Sequence, residues 1–164
     1  MKSKITLHMV ASLDGYIAND DTSFSWLNTD DTYDGAVTEP DEAAVLSSID
    51  CYVIGARTYE TALRLGWPYG DKPTCVLTHT SLVSDRSNVS FHSGDLGTFF
   101  EQLQQRHASI WVVGGSALVR DCLRAGLGDD IRIVLAPVLI GGGIPFFDQV
   151  RSEEHTSELQ SHHD

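Results

Sequence analysis

An α/β domain with a mostly parallel central sheet is predicted by two features of the sequence. The first is a pair of unbroken apolar runs, Cys51–Ile54 (CYVI) and Ile110–Val113 (IWVV). Such short runs suit strands buried on both faces, as in parallel sheets. The second is the glycine at the end of each run. Gly55 precedes Ala56-Arg57-Thr58-Tyr59-Glu60, and Gly114-Gly115 precede Ser116-Ala117-Leu118, so both runs pass through glycine into a helix start. Strands alternating with helices along 164 residues describe one domain.

The remaining elements come in order along the chain. Lys4–Leu13 (KITLHMVASL) alternates and then turns apolar, as a core strand does. Asp14-Gly15 is a turn signal, and Tyr16-Ile17-Ala18 resumes the strand briefly. Asn19 to Asp41 is a long polar excursion interrupted by Phe24, Trp26, Leu27 and Tyr33, and long loops in compact domains are often lids. Pro40-Asp41-Glu42 opens a helix with acids in its first turn. Thr74–Thr78 is a third strand ending in His79-Thr80-Ser81, and Val89–His92 is a fourth. Leu96 to Arg106 is helical with Phe99, Phe100 and Leu103 inward. Ser116 is expected to cap the helix after the glycine pair, whose inner side holds Leu118, Val119, Cys122 and Leu123. Gly126 and Gly128 stop it, and Ile131–Ala136 is a further strand. Phe146, Phe147 and that strand read as core or as a dimer face, with core preferred.

Composition narrows the function. At 41% hydrophobic and 21% charged residues the chain is an ordinary globular one, and no run of about 18 apolar residues offers a membrane span. The start, MKSKITLHMV, reads as a strand rather than a signal peptide. Cys51, Cys75 and Cys122 lie far apart among apolar residues, which suits buried thiols of a reduced, cytoplasmic protein and no metal site. The formal charge of −12 argues against nucleic acid or anionic membrane as partner. Between Asp14 and Glu42 there is no lysine or arginine, so an anionic ligand must be held by glycine-rich backbone and a few arginines elsewhere.

The last fourteen residues, RSEEHTSELQSHHD, break this pattern, with Leu159 the one large apolar residue. The string resembles the translation of a sequencing-library adapter. We therefore expect a domain at 1–150 and a non-native tail at 151–164, with the native C-terminal strands truncated, and we read no metal site into His162 and His163.

Strand, glycine, helix N-terminus is a ready anion site, because free N–H groups and the positive helix end point the same way. The bland alternative is a tight turn without ligand. Three strand ends here, at Gly55, Thr78 and Gly114, are rich in donors, and ligands of parallel sheets sit at such ends. Neither the G-x-G-x-x-G fingerprint nor a Walker lysine motif is present.

Four stretches together, ASLDGYIA at 11–18, IGARTYE at 54–60, VVGGSAL at 112–118 and LAPVLIGGGIPFF at 135–147, resemble the dihydrofolate-reductase-like superfamily. Within it they are most similar to the reductase domain of the bifunctional riboflavin-biosynthesis deaminase-reductase and its stand-alone relatives. The resemblance implies a three-layer dihydrofolate-reductase-like fold, NADPH as cofactor and a homodimer. It places Gly55, Arg57 and Thr58 on the cofactor's phosphates, and Thr78, with His79 or Thr80, near the adenosine ribose and its 2′-phosphate. Gly114, Gly115, Ser116, Ala117 and Leu118 would cradle the pyrophosphate and nicotinamide ribose, and Val10, Ala11, Ile17 and Ala18 would line the nicotinamide pocket. Asp14 and Trp26 fall on the substrate side, as the implied catalytic pair. From chemistry alone, Arg57 reads as a phosphate fork or a surface arginine, Asp14 as a substrate-side acid or a turn former, and Trp26 as a stacking group or a loop anchor. Family members often carry two basic residues after the second motif's glycine, whereas Ala56 takes the first place here.

The implied activity is NADPH-dependent reduction of a small heterocycle, the riboflavin-pathway 5-amino-6-(5-phosphoribosylamino)uracil first. The alternatives are dihydrofolate reduction, or a dinucleotide-binding module without turnover. The absence of cations between 14 and 42 counts against a phosphorylated substrate bound by that loop.

Overall fold

The first strand, β1 (Lys4–Ser12), takes its place between two strands that come more than a hundred residues later. The computed structural model describes residues 3–27, 42–147 and Val150; the predicted lid from 28 to 41, the helix start at Pro40-Asp41 and the tail at 151–164 lie outside the described residues. After β1 come β2 (Tyr16–Ala18), a 3-10 turn (Ser25–Leu27), α1 (Glu42–Ser47), β3 (Cys51–Gly55) and α2 (Ala56–Arg64). Then come β4 (Thr74–Leu77), β5 (Val89–His92), α3 (Leu96–Gln104), β6 (Ser109–Val113), α4 (Ser116–Arg124), β7 (Asp130–Ala136) and β8 (Ile144–Pro145). The predicted strands and helices therefore form within a residue or two of their expected limits.

Six strands make one sheet in the order β5-β4-β3-β6-β1-β7, every neighbouring pair parallel, and β2 pairs antiparallel with β8 beside it. Parallel register puts paired residues on one face, so side chains sort by position. Ile5, Leu7, Met9, Ala11, Ile110, Val112, Cys51, Val53 and Cys75 pack on Phe100 and Leu103 of α3 and on Val119 and Cys122 of α4. On the opposite face Ile54 and Val76 meet Tyr59 and Ala62 of α2, while Tyr52 and Trp111 meet Val45 of α1 and Ile49 just after it. The result is three layers, α1 and α2 on one side of the sheet and α3 and α4 on the other. The three cysteines are free and buried, and burial pushes the Cys122 thiol up to about 12. Among the described residues no helix is long and apolar enough to cross a membrane.

Two expectations need correction. Ser116 does not cap α4. Gly115 is the last residue with extended backbone (φ −76°, ψ −176°) and takes the cap position, which places Ser116 inside the first turn. The preference for core at β7 also fails in part. Phe146 is buried, but Phe147, Ile131, Val134 and Leu135 are exposed, because β7 forms the sheet's edge and no described element covers it.

Candidate active site

The connections leaving β3 and β6 diverge. The chain passes from β3 into α2 on one face and from β6 into α4 on the other. Because these strands are neighbours, a crevice opens between their carboxyl ends, the usual ligand position in a parallel sheet. The two helices flanking it are built alike. Each has nine residues, begins at a glycine that ends or follows the strand, and has no side-chain cap. Each stops at a glycine of positive φ, Gly66 or Gly126. The next residue's N–H then returns to the helix, Trp67 to the Ala62 carbonyl and Leu127 to that of Cys122. Two uncapped first turns thus offer their N–H groups, and the positive ends of two helix dipoles, to one crevice.

Sequence-predicted residues meet there. The Gly55 N–H donates to the Gly114 carbonyl at 3.2 Å, joining the two strand ends. Gly114 has φ +64°, and a Cβ on it would stand 3.3 Å from Met9 Cε and 3.5 Å from Thr58 Oγ1, so glycine fits by both backbone and space. The Gly114–Gly115 peptide is cis. A Cβ on Gly115 would meet nothing within 4 Å, so its backbone borders open space. A phosphate can therefore approach the peptide closely, and the residues present fit a dinucleotide's anionic bridge. Ser116 is half-buried and Ala117 exposed, while Leu118 packs on the core and offers only its backbone N–H. Arg57 is exposed on the first turn of α2.

Further along the sheet edge, Thr78, His79, Thr80 and Ser81 form with Phe91 and His92 a pocket of about 290 Å³ at the ends of β4 and β5. Thr78 accepts from the Thr80 N–H at 3.1 Å, so the turn's hydroxyls are ordered, and His79 is exposed. This pocket lies one strand beyond Gly55.

The implied nicotinamide residues do not share one surface. Val10 is partly exposed on the α1 face, whereas Ala11, the next residue on β1, points into the core against Ile17 and Phe146. Ile17 and Ala18 are buried in β2, beneath β8. Only Val10 offers a side chain to a ligand there.

Asp14 fastens two distant motifs together. Its carboxylate accepts from Ser12 Oγ at 2.6 Å, from the Gly141 N–H at 2.8 Å and from the Ile140 N–H at 3.2 Å. The Ser12 hydroxyl and these backbone N–H groups hold its carboxyl below the usual range. The Leu13 N–H donates to the Val138 carbonyl, and the Phe146 N–H to that of Gly15. Gly143, at φ +132°, lets its backbone pass so close to Ala18 that a Cβ would overlap the Ala18 carbonyl oxygen at 2.2 Å. ASLDGYIA and LAPVLIGGGIPFF are therefore one interlocked unit. Trp26 is buried in its 3-10 turn, with an indole N–H that has no partner among the described residues.

His8, Trp111 and Arg132 form a cluster that no local sequence motif marks. Their side chains share the α1 face: His8 pairs in register with Arg132, and its ring lies 4.7 Å from that of Trp111. The available signal was the polar alternation Thr6, His8 in β1 and Asp130, Arg132 in β7, which marks one face of each strand as unlike the other. No group of His, Cys, Asp and Glu suited to a metal occurs among the described residues.

Comparison with known proteins places the chain in a family. A family model described as the RibD C-terminal domain matches residues 3–163. The uncharacterized protein YwjB of Bacillus subtilis is 33% identical over 158 residues, covering 93% of this chain and 87% of YwjB. A crystal structure from Shewanella sp. PV-4, provisionally titled a riboflavin biosynthesis protein, superposes with a TM-score of 0.75 at 26% identity, over 93% of this chain and 86% of that one. Dihydrofolate reductase from Enterococcus faecalis, solved with NADP(H), gives a TM-score of 0.63 at 14% identity over 93% of this chain and 83% of its own, a likeness of fold alone. The chain thus has a dihydrofolate-reductase-like fold and belongs to the RibD C-terminal domain family, related to the reductase domain of riboflavin biosynthesis.

Proposed function

We propose that this chain is an NADPH-dependent reductase of a small heterocyclic substrate, with the riboflavin-pathway aminouracil as the first substrate to test. The observation that carries this reading is the pair of uncapped helix N-termini converging on the Gly55/Gly114-Gly115 crevice. The family and the riboflavin-biosynthesis neighbour support it.

Each residue then has a defined task. The first-turn N–H groups of α2 and α4 bind the pyrophosphate, and Arg57 adds a permanently charged fork. Thr78 and His79 border the pocket that takes the adenosine end and its 2′-phosphate. NADPH supplies the hydride; the protein's share is to hold the ring against the acceptor and to exclude water. Val10 lies at the mouth of that contact, two residues along β1 from His8. Asp14 keeps the 137–147 loop seated beside the site, and its engaged, acidic carboxylate suits that anchoring task.

Calorimetric titration with NADPH tests the reading. Saturable binding that Gly115→Asp abolishes is expected, since a carboxylate there occupies the phosphate's space and repels it. A folded chain that binds neither NADPH nor NADH refutes it.

A further inference from the structure

Two buried thiols of this chain have opposite surroundings. Cys122 lies in α4 among apolar side chains, and burial raises its thiol. Cys75 on β4 is 6% exposed, yet polar groups meet its sulfur from the strands on either side. From β5, an edge of the sheet in the described order, the Ser90 hydroxyl donates to Cys75 Sγ at 3.5 Å. Ser90 Oγ is in turn 2.9 Å from His92 Nε2. From β3, the Cys51 thiol hydrogen-bonds with the same sulfur. Imidazole, hydroxyl, thiol and thiol thus form one chain across three strands.

The groups around Cys75 favour its charged form. The hydrogen bond with Cys51 holds the Cys75 thiol below its usual range. Burial opposes this, and the Ser90 hydroxyl and the charges of His92 and His107 add to the lowering. Cys51 moves the other way, through the same hydrogen bond, burial and the charges of Cys75 and Asp50. Cys51 therefore stays a thiol beside a Cys75 thiolate, and the thiolate is the nucleophilic form. The His92 ring is held against Phe99 of α3, with ring centres 5.0 Å apart. Ser90 is exposed and His92 half-buried, so a single edge strand separates Cys75 from solvent.

We propose that Cys75 is a nucleophilic thiol, activated by the Ser90–His92 pair and modified by small electrophiles, hydrogen peroxide first. The Cys75 proton passes to the Ser90 oxygen while the Ser90 proton passes to His92 Nε2. The thiolate then attacks one peroxide oxygen. The S–O bond forms, the O–O bond breaks, and the leaving hydroxide takes the proton from His92 and departs as water. Sulfur is oxidised by two electrons to a sulfenic acid, and the peroxide is reduced. No disulfide follows. Cys75 pairs in register with Val53, so Cys51 lies two residues back along the neighbouring strand. Strand spacing and rise put the two Cα atoms about 8 Å apart on that diagonal, beyond the span of a disulfide. Cys51 is thus a donor to the thiolate and not its resolving partner. The site is independent of the reductase reading.

The test treats the full chain with hydrogen peroxide and dimedone, which traps sulfenic acid, and separately with iodoacetamide. Peptide mass spectrometry reads each cysteine. Cys75 is expected to be labelled about tenfold faster than Cys51 or Cys122 at pH 7, the factor carried by one unit of thiol acidity. Ser90→Ala, at an exposed position, should slow Cys75 by about tenfold and move its pH–rate profile upward. His92→Gln, which keeps a hydrogen bond but takes no proton, should do the same. One shared rate for all three cysteines would mean that labelling requires the chain to open, and would overturn the proposal. A Cys75 pH profile unmoved by both variants would overturn it too, as would a disulfide between Cys51 and Cys75 as the main peroxide product.

Discussion

β6 and β7 are the two neighbours of β1, and both are apolar strands, SIWVV and DIRIVLA. Their surroundings differ completely. Ile110 and Val112 of β6 are fully buried between helical layers, whereas Ile131 and Leu135 of β7 are 49% and 56% exposed. Composition announces a strand in both cases. Burial is decided by what lies on the far side, and β7 has β1 on one edge and no described strand on the other. An apolar run is thus a statement about conformation, and depth comes from the neighbours.

The contrast is open to direct attack. The largest effect is expected from Ile110→Ala, which removes a fully buried side chain and should cost about 3 kcal/mol in chemical denaturation. Ile133→Ala on β7, where the side chain is 36% exposed, should cost about 1 kcal/mol or less. Equal losses would mean that β7 is as well covered as β6. Gly114→Ala comes next. Its positive φ should cost roughly 1–3 kcal/mol, and calorimetry should show NADPH binding lost with it.

A smaller effect tests the β1–β7 contact. Burial, then the nearby Arg132 charge, hold the His8 imidazole below its usual range, and the Arg132 carbonyl only partly offsets them. The unfolded chain therefore takes up the proton first. Stability from His8 is complete above about 6.5, the ordinary histidine value, and falls as pH drops toward the lower folded value. Melting temperatures from pH 7.5 to 5 should decline less steeply in His8→Gln than in the parent, and parallel curves would refute this. Smallest of all, Ile131→Lys should shift stability by no more than about 0.5 kcal/mol and raise solubility, because charge on an edge strand discourages pairing with other chains.

Much of this was legible locally. The runs at Cys51–Gly55 and Ser109–Val113, each leading through glycine into a helix, declared both the parallel sheet and its crevice. Gly114 could be singled out because glycine at a strand-to-helix turn has few explanations. What stayed hidden depends on strand order. Nothing near His8 says that Arg132 lies beside it, since their pairing spans 124 residues of sequence. Asp14 reads equally well as a turn residue or an acid, and its partners, the N–H groups of Ile140 and Gly141, have no side-chain signature at all. Ser116 lies one position past the cap, and a serine before a helix and a serine inside its first turn look alike in sequence.

The position of β1 between β6 and β7 has a consequence for synthesis. Among the described strands β1 pairs with β6 and β7, which leave the ribosome about a hundred residues after it, and Asp14 must await Ile140 and Gly141. Such long-range closure slows folding and leaves no stable intermediate sheet around β1 while the chain grows. β3, β4 and β5, by contrast, are consecutive and mutually paired, so they can assemble early. The half of the sheet carrying the Thr78 pocket is then the scaffold that forms first, and the half carrying His8 and Arg132 is completed only after β7 has emerged.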